Sequence, residues 1–541
     1  MSAAPPREDL VPTPALAALA CGVLGGIAAL LAFPPYDLWW LLPVAIALLV
    51  AGVLVRSAWL AALVSLLWGL AFFVPLTRWA ETYAGALPWA ALAVFEALYI
   101  VVFGLLARAV LVRRGLRLGP AIVVAALWVA VETMRSHVPW GGLPWGASAF
   151  ALADSPLLNL GPWIGTAGLS AVVALLAMLL LSGGLAVTGR RHRGLRGIAG
   201  VWPLAVAVAA VLATVVVPLP VNRAPEGRPT MTVAGIQGNM DPVDPATMAM
   251  PEGIWDNHLQ VTEETVDQAA AEGRELDLIV WPEDSTEYDP RQDAVRSAQL
   301  TAVAAEAGAP VLVGTQTLVG EDQRLNNSLL YTPGGSVPYV YAKRHPVPFG
   351  EFIPMRGLFR MVTDKVDLVG RDMIAGDEVG VMDLEHLHQG DARVGVLICF
   401  EIAYENLVQD VVDGGAEVIV VQSNNALFGD SDEAIQQLAE SEVLAVVSGR
   451  SIVHVSTVGH SAIITPEGKQ LAFVDHWQQG SVVAEVPLRT GITPAVAAGP
   501  WIAIGICALA LAGLLGALRG PRQGLQREPA PVRGRGREGR R

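Results

Sequence analysis

The sequence predicts a polytopic α-helical membrane region joined to an α/β domain. Three observations predict this combination. The 541 residues are 53% hydrophobic and only 16% charged, which is too apolar for an ordinary soluble protein. Before about residue 220, the apolar residues come in blocks of helix length. Residues 228–488 instead have ordinary globular polarity, and their apolar runs have the length of strands.

Eight segments approach the length of about 20 apolar residues that a helix needs to cross the hydrocarbon core. The predicted spans are residues 14–33, 37–55, 58–76, 85–110, 119–134, 162–183, 197–219 and 495–518. The fifth span is short and runs into Glu132, Arg135 and His137. A re-entrant or interfacial segment is therefore the alternative interpretation at that position.

The distribution of arginine predicts the orientation of the spans, because basic loops stay in the cytoplasm. Three arginine-rich stretches fall on one side of eight crossings: the loops after the fourth and sixth spans, and the C-terminal tail. Their residues are Arg113, Arg114 and Arg117, then Arg190, Arg191, Arg193 and Arg196, then Arg519, Arg522, Arg527, Arg533, Arg535, Arg537, Arg540 and Arg541. With a cytoplasmic N-terminus, the polar domain is predicted to be extracytoplasmic.

These patterns predict three parts of the chain. Residues 1–227 form a membrane domain with about seven helices, and residues 228–488 form the extracytoplasmic domain. Residues 489–541 supply a final span and an arginine-rich cytoplasmic tail. The net charge of −14 arises mainly in the polar domain and gives no support for nucleic-acid binding.

Short apolar runs bounded by Gly, Pro and Asn predict an α/β fold for the polar domain. Strands are predicted at about 230–237, 277–281, 310–316, 327–332, 339–343, 394–399, 416–422 and 451–465. Helices are predicted at 255–272, 292–307 and 432–448. The segment 463–469 reads as a hairpin turn, which indicates mixed rather than purely parallel sheets.

Three polar signatures follow predicted strands. Glu283 follows Trp281-Pro282, Lys343 ends the predicted strand 339–343, and Cys399 ends the predicted strand 394–399. Functional side chains of open α/β sheets gather beyond the carboxyl ends of strands. We therefore expect these side chains to share one cleft.

The three residue types together indicate nucleophilic catalysis. A free thiol has a pKa of about 8.5 and needs a base or a cation to react at neutral pH. Glu283 can take the proton, and the Lys343 ammonium can stabilise the oxyanion that forms when a thiolate adds to a carbonyl. The alternatives are a helix-capping Glu283, a solvated Lys343 and a buried core Cys399. Cys399 is the only cysteine of the polar domain, which excludes a disulfide within it.

In this order and spacing, the signatures resemble the Glu-Lys-Cys triad of the nitrilase (carbon–nitrogen hydrolase) superfamily, which implies an αββα sandwich. With the membrane spans added, the chain resembles the apolipoprotein N-acyltransferase family. The most specific segments are Trp281-Pro282-Glu283, residues 347–354, Cys399-Phe400-Glu401 and residues 423–429. The resemblance covers almost the whole chain, except for the tail after about residue 520.

The resemblance implies Glu283 as general base, Lys343 as stabiliser of the tetrahedral intermediate and Cys399 as nucleophile. It implies that Glu351 and Glu401 lie beside Lys343 and hold its ammonium in position. A surface salt bridge is the alternative for these two carboxylates.

The resemblance also implies substrate contacts and shows two departures. Trp255 matches a family tryptophan that contacts acyl chains, with core packing as the alternative. Phe400 and Leu427 stand where family members commonly have tyrosine and tryptophan. These changes affect substrate preference more than triad chemistry, and Phe400 remains a predicted substrate contact.

The implied reaction is lipoprotein maturation at the bacterial cytoplasmic membrane. Cys399 takes an acyl group from a phospholipid as a thioester, and the α-amine of an S-diacylglyceryl apolipoprotein then receives it. No cofactor and no metal are implied. The loop with Trp140 and Trp145 falls on the outer side, where tryptophan favours the headgroup level. We expect it to form a lipid entry, with interfacial anchoring as the alternative.

Two other functions compete with this prediction. A membrane-tethered amidase or nitrilase would hydrolyse a small C–N bond with the same triad. A transporter with a binding module is disfavoured, because the spans contain few charges besides Glu96 and Glu132 and show no internal repeat.

Overall fold

The computed structural model of the chain describes residues 12–187, 198–216, 222, 229–243, 252–286, 288–361, 363–385 and 390–519. The predicted arginine-rich loop after the sixth span and the tail beyond Arg519 lie outside the described residues. The described part contains an apolar helical region, an α/β domain and a final apolar helix.

Helices occupy all the predicted apolar segments of the first part of the chain. They are α1 (Ala15–Leu30), α2 (Leu41–Val53), α3 (Ala58–Leu76), α4 (Trp79–Ala84), α5 (Ala86–Arg114), α6 (Leu118–Arg135), α7 (Gly161–Val187) and α8 (Ile198–Val216). Among the described residues, five helical segments are long and apolar enough to cross a membrane. They are α3, α5, α6, Pro156–Leu185 and Trp501–Arg519. The segment with the re-entrant alternative, α6, is one of them, whereas α1 and α2 are shorter.

Close helix contacts in the membrane region depend on small residues. Gly22 and Gly26 of α1 face α3, and a Cβ on Gly26 would lie 2.3 Å from the carbonyl oxygen of Trp68. Small residues let helix backbones approach where lipid supplies no hydrophobic driving force between helices. The helices α1, α2, α3 and α5 therefore form a tight apolar bundle beneath the α/β domain.

The α/β domain contains thirteen strands in the described residues. They are β1 (Thr230–Gln237), β2 (Leu278–Val280), β3 (Val311–Val319), β4 (Gln323–Tyr331), β5 (Tyr339–Ala342), β6 (Asp372–Met373), β7 (Val381–Leu384), β8 (Ala392–Ile398), β9 (Val418–Ser423), β10 (Ser451–Ser456), β11 (Ser461–Ile464), β12 (Gln470–Val474) and β13 (Gly480–Pro487). Its helices are α9 (Ile254–Ala271), α10 (Ala294–Ala307), α11 (Arg356–Phe359), α12 (Glu405–Asp413) and α13 (Glu433–Ser448). Two further helices follow, α14 (Pro494–Ala498) and α15 (Trp501–Arg519).

The strands form two mixed sheets that pack face to face. One has the order β13-β1-β2-β3-β4-β5, with β6 paired to β4, and the other has the order β12-β11-β10-β9-β8-β7. Gln422 of β9 bridges the sheets by donating a 2.5 Å hydrogen bond to the carbonyl of Trp281. Helices α9 and α10 cover the first sheet, and α12 and α13 cover the second. The domain is therefore the αββα sandwich that was predicted.

Several predicted elements differ from the observed ones. The predicted strand 451–465 is two antiparallel strands, β10 and β11, because the chain turns at residues 457–460. The hairpin between β11 and β12 is confirmed. Helix α12 was missed because it has only nine residues, although its buried Leu407, Val408, Val411 and Val412 have helical spacing.

Polar contacts join the α/β domain to the membrane region. Helix α7 is broken at Gly165, where φ is 63°, and the amide of Thr166 after the break donates a 3.1 Å hydrogen bond to Glu405 of α12. The hydroxyl of Tyr404 donates to the carbonyl of Gly142 at 3.0 Å. The two regions therefore meet through specific bonds as well as through apolar packing.

Candidate active site

Cys399 lies where β8 ends and a short 3₁₀ turn begins. Its φ is 55°, a left-handed conformation that costs energy for any residue with a Cβ. The residue is buried, and its sulfur lies 3.6 Å from Ser423 Oγ and 3.6 Å from Gln437 Nε2. Strained backbone of this kind persists only where the surrounding structure holds it, and it is typical of functional sites.

Lys343 directly follows β5 and carries a fully buried ammonium. Its Nζ donates a 2.7 Å hydrogen bond to Glu351 Oε1 and lies 3.3 Å from Glu283 Oε1. Glu283 also accepts a 2.6 Å hydrogen bond from Asn326 Nδ2. The structure thus brings together Glu283, Lys343 and Glu351 by direct bonds.

The thiol of Cys399 lies within the field of this charged cluster. Burial raises the pKa of the thiol well above its usual range, the Glu283 carboxylate adds to the rise, and the Lys343 ammonium opposes it. Burial also raises the pKa of Glu283, to about 7, against the opposing effect of Lys343. The site therefore combines a protonated thiol with a carboxyl group that changes protonation near neutrality.

The lysine keeps its proton in this setting. Burial favours the neutral amine, but the carboxylates of Glu283 and Glu351 outweigh burial and hold the pKa of Lys343 well above its usual range. A buried ammonium with fixed partners is a preorganised positive charge, of the kind that stabilises an oxyanion.

Glu401 occupies a different position from the one expected. Its carboxylate accepts hydrogen bonds from the backbone N–H groups of Arg344, His345 and Ile398 at 2.7, 3.1 and 2.8 Å. The hydroxyl of Tyr341 donates to the same carboxylate at 2.9 Å. Glu351 contacts the ammonium directly, whereas Glu401 joins the backbone after Lys343 to the backbone before Cys399. The side chain is fully buried, so a surface salt bridge is excluded.

Phe400 and Trp145 form the contact between the 3₁₀ turn that begins at Cys399 and the membrane region. Their rings are stacked, with centroids 4.8 Å apart, and both side chains are buried. Trp79 packs edge-on against both rings. The indole N–H of Trp145 donates a 2.6 Å hydrogen bond to Gln436 Oε1. Trp145 is therefore buried inside the protein and not open to lipid in this structure, whereas the prediction assigned it to a lipid entry.

Trp140, in contrast, is 43% exposed. Its ring packs edge-on against Phe349 and Phe359, with centroids 5.6 and 6.1 Å away. Both phenylalanines belong to the segment that follows Lys343. The exposed Trp140 therefore lies beside the loop that carries Glu351.

A buried ion pair holds the loop with the two tryptophans. Arg135 lies 3.1 Å from Glu96, and both side chains are almost fully buried. The same Arg135 nitrogen donates 2.8 Å hydrogen bonds to the carbonyls of Leu143 and Trp145. Glu96 and Arg135 thus pair with each other, and Arg135 also holds the loop with the two tryptophans in position.

Trp255 lies in the apolar core between α9, α10 and the first sheet. It packs edge-on against Trp281 at 5.3 Å, and Arg296 lies over its ring. Only 3% of the residue is exposed. This position favours the core-packing interpretation over the predicted acyl-chain contact.

The sequence did not predict four polar residues that contact Cys399, Glu283 or their neighbours. They are Asn326, Gln437, Glu433 and Asn425. Asn425 belongs to the segment 423–429 that carried the family resemblance, and Gln437 and Glu433 belong to a predicted helix. Their spacing gives no sign of which residues face the thiol. In the described part of the chain, no group of three or more His, Cys, Asp and Glu side chains could hold a metal ion.

Comparison with known proteins agrees with this architecture. A family model for the apolipoprotein N-acyltransferase N-terminal domain matches residues 25–179, and one for carbon–nitrogen hydrolase matches residues 232–493. The apolipoprotein N-acyltransferase of Mycolicibacterium smegmatis is 32% identical over 501 residues, which cover 90% of this chain and 82% of that protein. The chain belongs to the apolipoprotein N-acyltransferase family.

Other similar proteins include a more distant family member and a solved structure. The apolipoprotein N-acyltransferase of Photobacterium profundum is 27% identical over 90% of this chain and 92% of that protein. A mutant of the Nesterenkonia AN1 amidase from the nitrilase superfamily aligns with 50% of this chain and 95% of its own, at 17% identity and a TM-score of 0.35. Family membership and the apolar helices make this chain a bacterial membrane protein with a nitrilase-like domain.

Proposed function

We propose that this chain acylates the amino-terminal S-diacylglyceryl cysteine of apolipoproteins, with a phospholipid as acyl donor and Cys399 as the acyl carrier. The observation that carries the proposal is the stack of Phe400 on Trp145. This contact joins the turn with the thiol to the apolar helical region, and a bilayer around those helices would hold a lipid ester close to the site. Membership of the family supports the same reaction.

In the first half-reaction, Glu283 accepts the S–H proton and the sulfur attacks the ester carbonyl of the phospholipid. The Lys343 ammonium stabilises the negative charge on the carbonyl oxygen of the tetrahedral intermediate. The C–O bond then breaks, and Glu283 returns the proton to the departing alkoxide. The products are a lysophospholipid and a thioester on Cys399. A pKa near 7 suits Glu283 to both proton transfers.

In the second half-reaction, the free α-amine of the diacylglyceryl cysteine attacks the thioester carbonyl. Glu283 accepts a proton from the amine, and Lys343 again stabilises the oxyanion. The C–S bond breaks, the sulfur regains its proton and an amide is formed. Covalent catalysis splits one difficult transfer into two easier steps and gives ping-pong kinetics.

Residues around the proposed triad hold the reacting groups in position. Glu351 anchors the ammonium, and Glu401 fixes the backbone on either side of the site. We assign Phe400 to the wall against which the acyl chain lies, and Trp140 to the lipid entry. The buried Trp145 supports Phe400 from below.

We further propose the bacterial cytoplasmic membrane as the location, with residues 228–488 as the extracytoplasmic catalytic domain. Residues 1–227 and 489–541 are then the membrane domain and the final span with its tail. Support comes from Arg113 and Arg114 in the last turn of α5, because basic residues at the ends of spans favour the cytoplasmic side. A donor and an acceptor that both stay in the bilayer can reach a tethered domain by lateral diffusion.

The test uses the full chain in proteoliposomes with a phospholipid labelled in its acyl chains. We expect a hydroxylamine-sensitive label on Cys399, which disappears when a diacylglyceryl peptide with a free α-amine is added. The variant Cys399→Ala should take no label, and Cys507→Ala should behave like the parent. Absence of a label, together with turnover of a soluble amide, would reject the proposal in favour of a membrane-tethered amidase.

A further inference from the structure

A buried polar network lies on the side of Cys399 that faces α13. Its members Ser423, Asn425, Glu433 and Gln437 are each at most 1% exposed. None of them takes part in the two half-reactions above. Buried polar side chains are costly unless they are hydrogen-bonded, so the bonds that they form show how each one is oriented.

The orientation of Asn425 follows from Ser456. The Ser456 oxygen accepts the N–H of Gly459 at 2.9 Å, and its own hydrogen is donated to Asn425 Oδ1. With its oxygen on Ser456, Asn425 directs its NH₂ group the other way. It donates to Glu433 Oε2 at 2.6 Å and to Gln437 Oε1 at 3.1 Å.

The orientation of Gln437 follows in turn. Its oxygen accepts from Asn425 and, at 2.6 Å, from the hydroxyl of Ser423. Its NH₂ group is therefore directed at the sulfur of Cys399, at 3.6 Å. An amide has donors on nitrogen only, so this contact is an N–H donated to sulfur.

Ser423 completes the arrangement. A hydroxyl has one hydrogen to donate, and the 2.6 Å bond to Gln437 takes it. At 3.6 Å from the sulfur, Ser423 Oγ therefore acts as acceptor for the S–H of Cys399. The resting thiol thus donates its hydrogen to Ser423 until Glu283 removes the proton, and the N–H donor of Gln437 remains when the hydrogen leaves.

We propose that Gln437 is a further catalytic residue, whose amide N–H stabilises the Cys399 thiolate, and that Glu433 is a positioning residue that directs this N–H through Asn425. The inference rests on the proposed function of Cys399 as acyl carrier. Burial raises the pKa of Glu433 to about 8, so the group is mostly neutral at pH 7, and the carboxylate that forms at higher pH raises the pKa of the Cys399 thiol.

The test is the alkylation rate of Cys399 by iodoacetamide as a function of pH, in the full chain with Cys21→Ser and Cys507→Ser. Cys399 is then the only cysteine, since the chain has three. Gln437→Met keeps the length of the side chain and removes the donor. We expect the midpoint to move to higher pH and the rate below it to fall about tenfold, as for a lost hydrogen bond to a charged group.

Matched variants separate donation from packing. Gln268→Met changes an exposed glutamine on α9 and should leave the alkylation profile unchanged. Glu433→Gln and Glu433→Met both remove the carboxylate, but only Gln keeps an acceptor for Asn425, so the midpoint should lie higher in Glu433→Met than in Glu433→Gln. A purely structural role would lower the melting temperature and leave the midpoint in place.

A profile for Gln437→Met that overlaps the parent's would overturn the inference. If that variant does not fold, the S–H stretching band of the protein with Cys21→Ser and Cys507→Ser decides, because a band at the position of a free thiol would contradict donation to Ser423 and with it the orientation assigned to Gln437. Both readouts are independent of acyl transfer. Failure of the proposed function appears instead as a missing acyl label on Cys399 with the alkylation profile as expected.

Discussion

Lys343 Nζ lies closer to Glu351 than to Glu283, at 2.7 Å against 3.3 Å. The shorter bond identifies Glu351 as the main anchor of the ammonium. Glu351 Oε2 also accepts the N–H of Val347 at 2.6 Å, which fixes the carboxylate itself. Glu283 is consequently free to gain and lose a proton while the ammonium stays in place.

Replacing Lys343 by Met should reduce acyl transfer about 10²–10³-fold, the usual effect of losing one oxyanion donor. The change also leaves the buried Glu283 and the partly buried Glu351 without a counter-charge, and breaking a buried ion pair destabilises a protein by about 3–5 kcal/mol. The rate of Cys399 labelling and the melting temperature measure the two effects. Lys469→Met, at an exposed position, is the control. Labelling at the parental rate in Lys343→Met would contradict the assigned role.

The first half-reaction should accelerate as the pH rises through about 7, because the base is the carboxylate form of Glu283 and its pKa is raised to about 7 by burial. Below that pH the rate should fall about tenfold per unit, as the carboxylate becomes a minor species. The measurement is single-turnover labelling of Cys399 at a series of pH values.

Asn326→Leu provides a check on this assignment. Its amide donates to the charged form of Glu283 and so lowers the pKa of that carboxyl. Without the amide, the midpoint of the pH profile should move upward. A flat profile around neutrality, or a midpoint that does not respond to Asn326→Leu, would exclude Glu283 as the base.

Replacing Glu401 by Gln should lower both stability and turnover. The carboxylate accepts three backbone N–H groups, and an amide with a single oxygen cannot serve all of them. Each buried N–H left without a partner costs about 1–3 kcal/mol. A melting curve and the turnover number check the prediction, with the exposed Glu467→Gln as control. An unchanged melting temperature would show that this bridge is not needed.

Trp145→Ala and Trp140→Ala should have different effects. Loss of the buried Trp145 removes the stack on Phe400 and should destabilise the protein by about 3–5 kcal/mol. Loss of the half-exposed Trp140 should leave the melting temperature nearly unchanged and raise KM for the phospholipid. Unchanged donor kinetics in Trp140→Ala would reject its assignment to the lipid entry.

Periodicity in the sequence predicted the long helices and several buried strands because these patterns are local, but it missed the nine-residue α12. It also led to Glu283, Lys343 and Cys399, since each lies within three residues of the end of a strand. The partners of these residues could not be found in this way. Gln437 reaches Cys399 across 38 positions, and Trp145 bonds to Gln436 across 291. Such pairs depend on how helices cross the sheet, which no short-range pattern encodes.

The contacts beneath the turn at Cys399 limit what an isolated α/β domain can show. Phe400 rests on Trp145, and α13 is buried along its whole length partly by the membrane helices. A fragment limited to residues 228–488 would expose these apolar side chains to water. The fragment would then aggregate or change its packing around Cys399, so its thiol reactivity would say little about the intact enzyme.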